Sequence, residues 1–159
     1  QNTALYVNGD VATVYGTGGV FVAEATSSNF GTGSKFSATA VRLSYLTAGD
    51  SFKFSDRTIT SNKTYLIGSA SAPYQFATAA NSSDIFAVDA NGLGSTTATF
   101  RHMADQTPSS STGSAPSDSY NPSSFTLVFK RDGQTQAYKS ASGTYSGPYT
   151  IKKALLDIY

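Results

Sequence analysis

Short segments of alternating apolar and polar residues, separated by glycine-rich breaks, run through most of this chain. In one of them Val41, Leu43 and Tyr45 alternate with Arg42 and Ser44. A period of two places successive side chains on opposite faces of a β-strand. Glu and Met, which favour helices, each occur once in 159 residues, whereas the β-branched and aromatic residues that favour strands are plentiful. The sequence therefore predicts an all-β fold.

The chain length of 159 residues fits one domain. Several short alternating segments with frequent turns are typical of a β-sandwich or a jelly-roll-like domain, and we expect residues 1–159 to form one. Residues 104–124 contain eight Ser, three of the five Pro and no branched aliphatic residue. This Ser/Pro-rich stretch is predicted to be a loop excursion within the domain.

Two dipeptides mark candidate hairpins. Asn8-Gly9 favours a two-residue turn, although the arm before it is short, so residues 3–15 could instead form one long strand through Gly9. Asp132-Gly133 lies between two apolar segments and predicts a hairpin over residues 125–138.

The C-terminal segment has a different pattern. Ile151, Ala154, Leu155 and Ile158 follow the spacing of one face of a helix, which predicts a short C-terminal helix. A helix of about ten residues is marginal unless it docks on the rest of the domain. A terminal strand is the alternative for this segment.

Composition excludes several function classes. The net charge is +1 with scattered basic residues, which is not the pattern of a nucleic-acid binder. There is no Cys and only one His, His102, so we expect no metal site and no cofactor. No catalytic motif is present, and we expect a non-enzyme; a small hydrolase using His102 is the least favoured hypothesis. No apolar run approaches 18 residues, so no membrane span is expected.

The remaining features favour an exported structural protein. The chain starts at Gln1, as a processed chain would, and Ser and Thr together make 44 residues. We expect an extracellular or cell-surface subunit that assembles with copies of itself into a fibre, pilus or coat. The N-terminal segment 1–15 is the candidate exchanged or edge strand. Donated to a neighbour's sheet edge, it would fill successive pockets with four side chains, those of Leu5, Val7, Val11 and Tyr15. The alternative is that this segment is the first strand of its own sheet.

The second functional hypothesis is a carbohydrate-binding module or lectin, with surface glycans as partners. Four tyrosines in Gly/Ser/Pro-rich surroundings could stack on sugar rings: Tyr74, Tyr120, Tyr145 and Tyr149. Asn62 and Asn81 each begin an Asn-X-Ser/Thr triplet and are weak candidates for glycosylation.

Overall fold

The computed structural model describes residues 3–69, 114–118, 125–140 and 149–159. These residues form two antiparallel sheets and contain no helix, which confirms the all-β prediction and is consistent with a β-sandwich. Whether residues 1–159 form a single domain stays a prediction. The strands are β1 (Thr3–Asn8), β2 (Val11–Gly16), β3 (Gly19–Glu24), β4 (Asn29–Phe30), β5 (Ala38–Thr47), β6 (Ser51–Lys53), β7 (Ile59–Thr60), β8 (Tyr65–Ser69), β9 (Ser114–Asp118), β10 (Thr126–Lys130), β11 (Gln136–Lys139) and β12 (Tyr149–Ile158).

The small sheet has the order β1-β2-β6-β7. Its first two strands form a hairpin in which Asn8 is opposite Val11, so the central turn residues are Gly9 and Asp10. Gly9 has φ +58°, a left-handed conformation that glycine adopts without steric cost. The predicted hairpin is confirmed, with its turn one residue later than Asn8-Gly9.

The large sheet has eight strands and is built around β12 and β5, which pair with each other. On its other side β12 pairs with two strands, with β10 along its second half and β11 along its first half. On the side away from β12, β5 pairs with β3 and β4. Among the described strands, the outermost on the β12 side are β9, which pairs with β10, and β8, which pairs with β11, and the outermost on the β5 side are β3 and β4.

Apolar side chains are buried on both faces of the large sheet. Tyr45 and Leu46 are neighbours in β5 and therefore point to opposite faces. Leu46 belongs to a small core with Val14 of β2 and Phe52 of β6, which joins the large sheet to the small one. The face that carries Tyr45 holds a larger cluster, which consists of Ala38, Val41, Leu43, Tyr45, Leu127, Phe129, Ala137, Tyr149, Ile151, Ala154 and Leu156.

The predicted C-terminal helix is wrong, because residues 149–158 form β12. The register against β5 shifts between Ile151 and Ala154, so β12 carries an extra residue, a β-bulge. The bulge keeps both Ile151 and Ala154 on the buried face although they are three positions apart. One bulge in a strand thus produced a spacing that resembles one turn of a helix. The terminal-strand alternative is confirmed.

The predicted hairpin over residues 125–138 is also wrong. β10 and β11 do not pair with each other; both run antiparallel to β12, one after the other along the same side. Residues 131–135 therefore form a protruding loop that interrupts a strand without reversing it. The Asp-Gly turn signal was correct locally, since Thr135 N donates to Asp132 O at 3.1 Å, but the flanking strands had a better partner in β12.

Part of the stretch predicted to be a loop, residues 104–124, is a strand. Ser114–Asp118 forms β9 and pairs with β10 over five residues. No apolar alternation announces β9, because its pairing depends on main-chain hydrogen bonds. Its central residue, Pro116, is tolerated because β9 is an edge strand. The other residues of this stretch lie outside the described part of the chain.

Candidate functional site

A polar cleft of about 460 Å³ opens where the large sheet is interrupted. Three segments that are distant in sequence surround it: the β6–β7 turn, the protruding loop 131–135 with the start of β11, and the bulge of β12. The lining residues are Asp56, Arg57, Thr58, Ile59, Gly133, Gln134, Gln136, Lys152 and Lys153. Pockets of about 300–1,000 Å³ are typical of small-ligand sites, so this cleft is large enough to hold one.

The protruding loop is held in place by Asp132. Its carboxylate forms an ion pair with Arg42 of β5 at 2.7 Å and accepts a hydrogen bond from Gln134 N at 2.9 Å. The hydrogen bond from Arg42 holds the pKa of Asp132 below its usual value, against the opposing effect of burial. The fully buried Thr135 donates to Lys153 O at 3.1 Å and joins the loop to the bulge opposite.

The bulge of β12 is fixed through the backbone of Lys153. Its N–H donates to Ser44 Oγ at 3.0 Å, and its carbonyl accepts from Arg42 Nη1 at 3.1 Å in addition to Thr135. Lys153 has φ 55°, in the left-handed region that a side chain with a Cβ rarely adopts. The surrounding hydrogen bonds therefore hold a locally unfavourable conformation.

The β6–β7 turn forms the opposite wall. Asp56 accepts from Lys53 Nζ and from Thr58 N, both at 3.0 Å. The hydrogen bond from Lys53, followed by those from Thr58, lowers the pKa of Asp56 to about 2. Asp56 is thus an ionised side chain already engaged by its own neighbours. Arg57, next in the turn, has φ 58° and is also left-handed.

Lys152 crosses between the two walls. Its ammonium donates to Ile59 O at 3.3 Å and lies 5.1 Å from the centroid of the Tyr138 ring. Burial lowers the pKa of Lys152, and the Asp50 carboxylate partly opposes that shift. An ammonium group that is partly removed from water gains more from an anionic ligand than a fully solvated one does. The cationic lining residues Arg57, Lys152 and Lys153 are therefore suited to an anionic ligand.

A second candidate site is the open edge of the small sheet at β1, which among the described residues pairs with no strand other than β2. Four large apolar side chains of the β1–β2 hairpin are between 43 and 58% exposed: Leu5, Tyr6, Val7 and Tyr15. Val14 exchanges backbone hydrogen bonds with Gly49 and Asp50, on the side of β2 away from β1. Leu5, which is opposite Val14, must then also point its backbone groups away from the hairpin, and so must Val7. These groups face the open edge.

The hairpin divides the four predicted interface residues between two faces. Leu5 and Val7 share a face with their partners Val14 and Ala12, whereas Val11 and Tyr15 share the opposite face with Asn8 and Ala4. One continuous strand with four successive pocket-filling side chains does not occur in this conformation, because the turn at Gly9 reverses the chain. In this structure β1 pairs with β2 of its own chain. Whether the segment is donated to a neighbouring copy stays a prediction.

The structure describes only one of the four tyrosines that were predicted to stack on sugars. Tyr149 is only 4% exposed and packs with its ring 5.3 Å from that of Tyr45, so it is not accessible to a sugar. Tyr149 begins β12, and its side chain packs in the large core. The neighbouring Pro148 had suggested a loop, so the sequence did not indicate this burial. Tyr74, Tyr120 and Tyr145 lie outside the described residues, as do His102 and Asn81. Asn62 is at the surface, but its Oδ1 accepts from Lys63 Nζ at 3.1 Å.

A buried polar cluster connects the two sheets. Lys63 Nζ lies 2.8 Å from Asp50 Oδ1, and both side chains are at most 1% exposed. The Asp50 carboxylate also accepts from Thr47 N at 2.8 Å, Ser61 Oγ at 2.6 Å and Thr150 Oγ1 at 2.5 Å. Thr47 and Thr150 belong to the large sheet, whereas Asp50 and Ser61 flank the small one. The cluster is fully hydrogen-bonded, which indicates a structural role.

Sequence reasoning missed the cleft. Its walls come from three separate segments, and the only visible signal was the adjacent pair Lys152–Lys153.

Within the described part of the chain no group of three His, Cys, Asp or Glu side chains could hold a metal ion. The same residues include no helix long and apolar enough to span a membrane. No protein-family model matches the chain, and no significant match was found among curated proteins or solved structures.

Proposed function

We propose that this protein is an extracellular structural subunit that assembles into a filament with copies of itself through the open edge of β1. The observation that carries the proposal is a six-residue edge strand whose apolar side chains are exposed on both faces. Unpaired backbone groups on such a strand are a template for pairing with another chain.

Within the part of the chain that the structure describes, this edge lacks the features that normally prevent such pairing. Monomeric proteins protect exposed edges with charged side chains, prolines, bulges or a covering segment. β1 has the sequence Thr-Ala-Leu-Tyr-Val-Asn, without charge or proline, and its register with β2 is regular throughout. This strand is therefore suited to accept a further strand.

Filament growth requires β1 to pair with a different edge of the next copy. Pairing of β1 with β1 would be two-fold symmetric and would stop at a dimer. β7 is the opposite edge of the small sheet among the described strands, and a β1-to-β7 contact, which would replace the hydrogen bond from Lys152 Nζ to Ile59 O, would continue that sheet from copy to copy. The proposed filament is therefore open and head-to-tail.

Val7→Pro tests the proposal. It removes an N–H that points to the open edge, without removing a hydrogen bond to β2. We expect filaments of the unmodified protein in negative-stain electron microscopy, and we expect Val7→Pro to be a folded monomer by size-exclusion chromatography with light scattering.

Two control variants separate edge pairing from other effects. Phe36→Ser removes an apolar side chain that is 54% exposed and away from β1, and it should leave filaments intact. Tyr6→Pro removes an N–H that faces β2 and should destabilise the hairpin itself. Monomers or closed dimers of the unmodified protein at every concentration, or filaments that persist in Val7→Pro, would overturn the proposal.

A further inference from the structure

Two cationic residues of the cleft have backbone conformations that favour glycine. Among the described residues, three non-glycine residues have φ near +60°: Ala40, Arg57 and Lys153. Arg57 and Lys153 line the cleft, from opposite walls. Strained residues of this kind gather at functional sites, where the side chain is needed more than local stability.

The charges around the cleft leave a positive balance. Of the described lining residues, Arg57, Lys152 and Lys153 are cationic and only Asp56 is acidic, and Asp56 is engaged by Lys53 at 3.0 Å. Glu24 approaches Arg57, but the Oε2–Nε distance of 3.9 Å is too long for a hydrogen bond. The guanidinium and the two ammonium groups therefore retain donors for an anion.

The neutral lining groups suit a polyhydroxylated molecule. Gln134 and Gln136 are exposed and offer amide groups, of which Gln136 Oε1 already accepts from Tyr138 Oη at 2.8 Å, and Thr58 adds a hydroxyl that also bonds Asp56. Among the described lining residues, Ile59 is the only branched aliphatic one, so this part of the lining is mainly polar.

We propose that this cleft binds a carboxylate-bearing saccharide. Arg57, Lys152 and Lys153 contact the carboxylate, since charge-assisted hydrogen bonds from a guanidinium or an ammonium group are the strongest available. Gln134, Gln136 and Thr58 contact the ring hydroxyls. The cleft shares no residue with β1, although Ile59, which lines it, belongs to β7.

The test is calorimetric titration of the whole protein with a trimer of galacturonic acid, in parallel with the neutral galactose trimer of the same linkage and with inorganic phosphate. We expect the acidic trimer to bind at least tenfold more tightly than the other two, and its affinity to fall as salt is raised. Arg57→Gly and Lys153→Gly should each weaken that binding about tenfold, the loss expected for one charge-assisted hydrogen bond.

Ala40→Gly is the matched control. It relieves the same left-handed strain but lies at a different bulge, where β5 pairs with β12 beyond Leu156, so it should leave binding unchanged. All three glycine variants should remain folded, because glycine suits their backbone conformation. Equal binding of the neutral trimer, equal binding of phosphate, or binding unaffected in Arg57→Gly and Lys153→Gly would each overturn the proposal.

Discussion

Asp50 and Lys63 are oppositely charged side chains that the fold has removed almost completely from water. Removing two charges from water is costly, and the cost is offset here by three further hydrogen bonds to the carboxylate. Because these bonds come from both sheets, the pair fixes how the sheets meet. The ion pair stabilises the fold because all its members are hydrogen-bonded, and neither ion would be stable there alone.

Replacing either partner of this ion pair should therefore be far more damaging than replacing both. Asp50→Ala leaves the Lys63 ammonium buried without a counter-ion, and we expect a loss of about 3–5 kcal/mol in the free energy of unfolding. Asp50→Ala combined with Lys63→Met should lose less than the sum of the two single variants. Urea denaturation of all four proteins measures this coupling, and additive losses would contradict it.

Asp157 makes the free energy of unfolding depend on pH in the acid range. Burial opposes its ionisation, but hydrogen bonds from Lys130 Nζ, Ala40 N and Tyr159 Oη outweigh burial and lower its pKa. Because the pKa of Asp157 is lower in the folded state, the carboxylate stabilises the fold fully at pH values above its unfolded-state pKa of about 3.9. This stabilisation is lost as pH falls through the folded-state pKa.

We expect Asp157→Asn to cost about 1–2 kcal/mol of unfolding free energy at pH 7, since it weakens charge-assisted hydrogen bonds in a buried position. The difference from the unmodified protein should be constant between about pH 5 and 8 and should shrink below about pH 4. Chemical denaturation at several pH values checks it. A difference that persists unchanged at pH 3 would show that the charge of Asp157 is not the cause.

At the level of single elements, β12 shows how a local irregularity serves the core. Its bulge shifts the alternation by one residue, so that Ile151 and Leu156 are both buried on the same face. The alternation of β5 has no such shift between Val41 and Tyr45, and its strand character could be predicted from sequence alone. A bulge has no reliable sequence signal when its left-handed residue is a lysine in place of a glycine.

Deleting Lys153 should disrupt the large sheet. Without the extra residue, β12 would alternate regularly, and either Ile151 or the pair Ala154 and Leu156 would turn away from the core. We expect loss of a cooperative thermal transition in circular dichroism. Lys153→Gly, which keeps the residue count, should retain the transition and gain about 1 kcal/mol through relief of the left-handed strain. A cooperative transition in the deletion variant would contradict this account.

For the whole molecule, the sequence indicated fold class and many strands, but it did not indicate which strands meet. The Asp-Gly turn at residues 132–133 suggested a hairpin, because local signals favour local pairing, and the sheet instead joined β10 and β11 to β12. The cleft was unpredictable for the same reason. Its walls are brought together by pairings between strands that are remote in sequence, as between β5 and β12.

The open edge was easier to anticipate, since the apolar character of Leu5 and Val7 is a property of one short segment. The hairpin nevertheless changes how that segment should be tested. Removing residues 1–15 would also remove Val14, which is fully buried against Leu46 and Phe52. Such a truncation would damage the small core together with the edge, whereas Val7→Pro affects the edge alone.

The central position of β12 also determines when this protein can fold. Synthesis proceeds from the N-terminus, and the small sheet is complete once residue 60 has emerged, whereas β5 must wait for a partner more than 100 residues later in the chain. At synthesis rates of about 5–20 residues per second, that delay lasts roughly five seconds or more. During this interval the apolar face of β5 has no β12 beside it, so a ribosome-bound chain of this protein is a natural client for a chaperone.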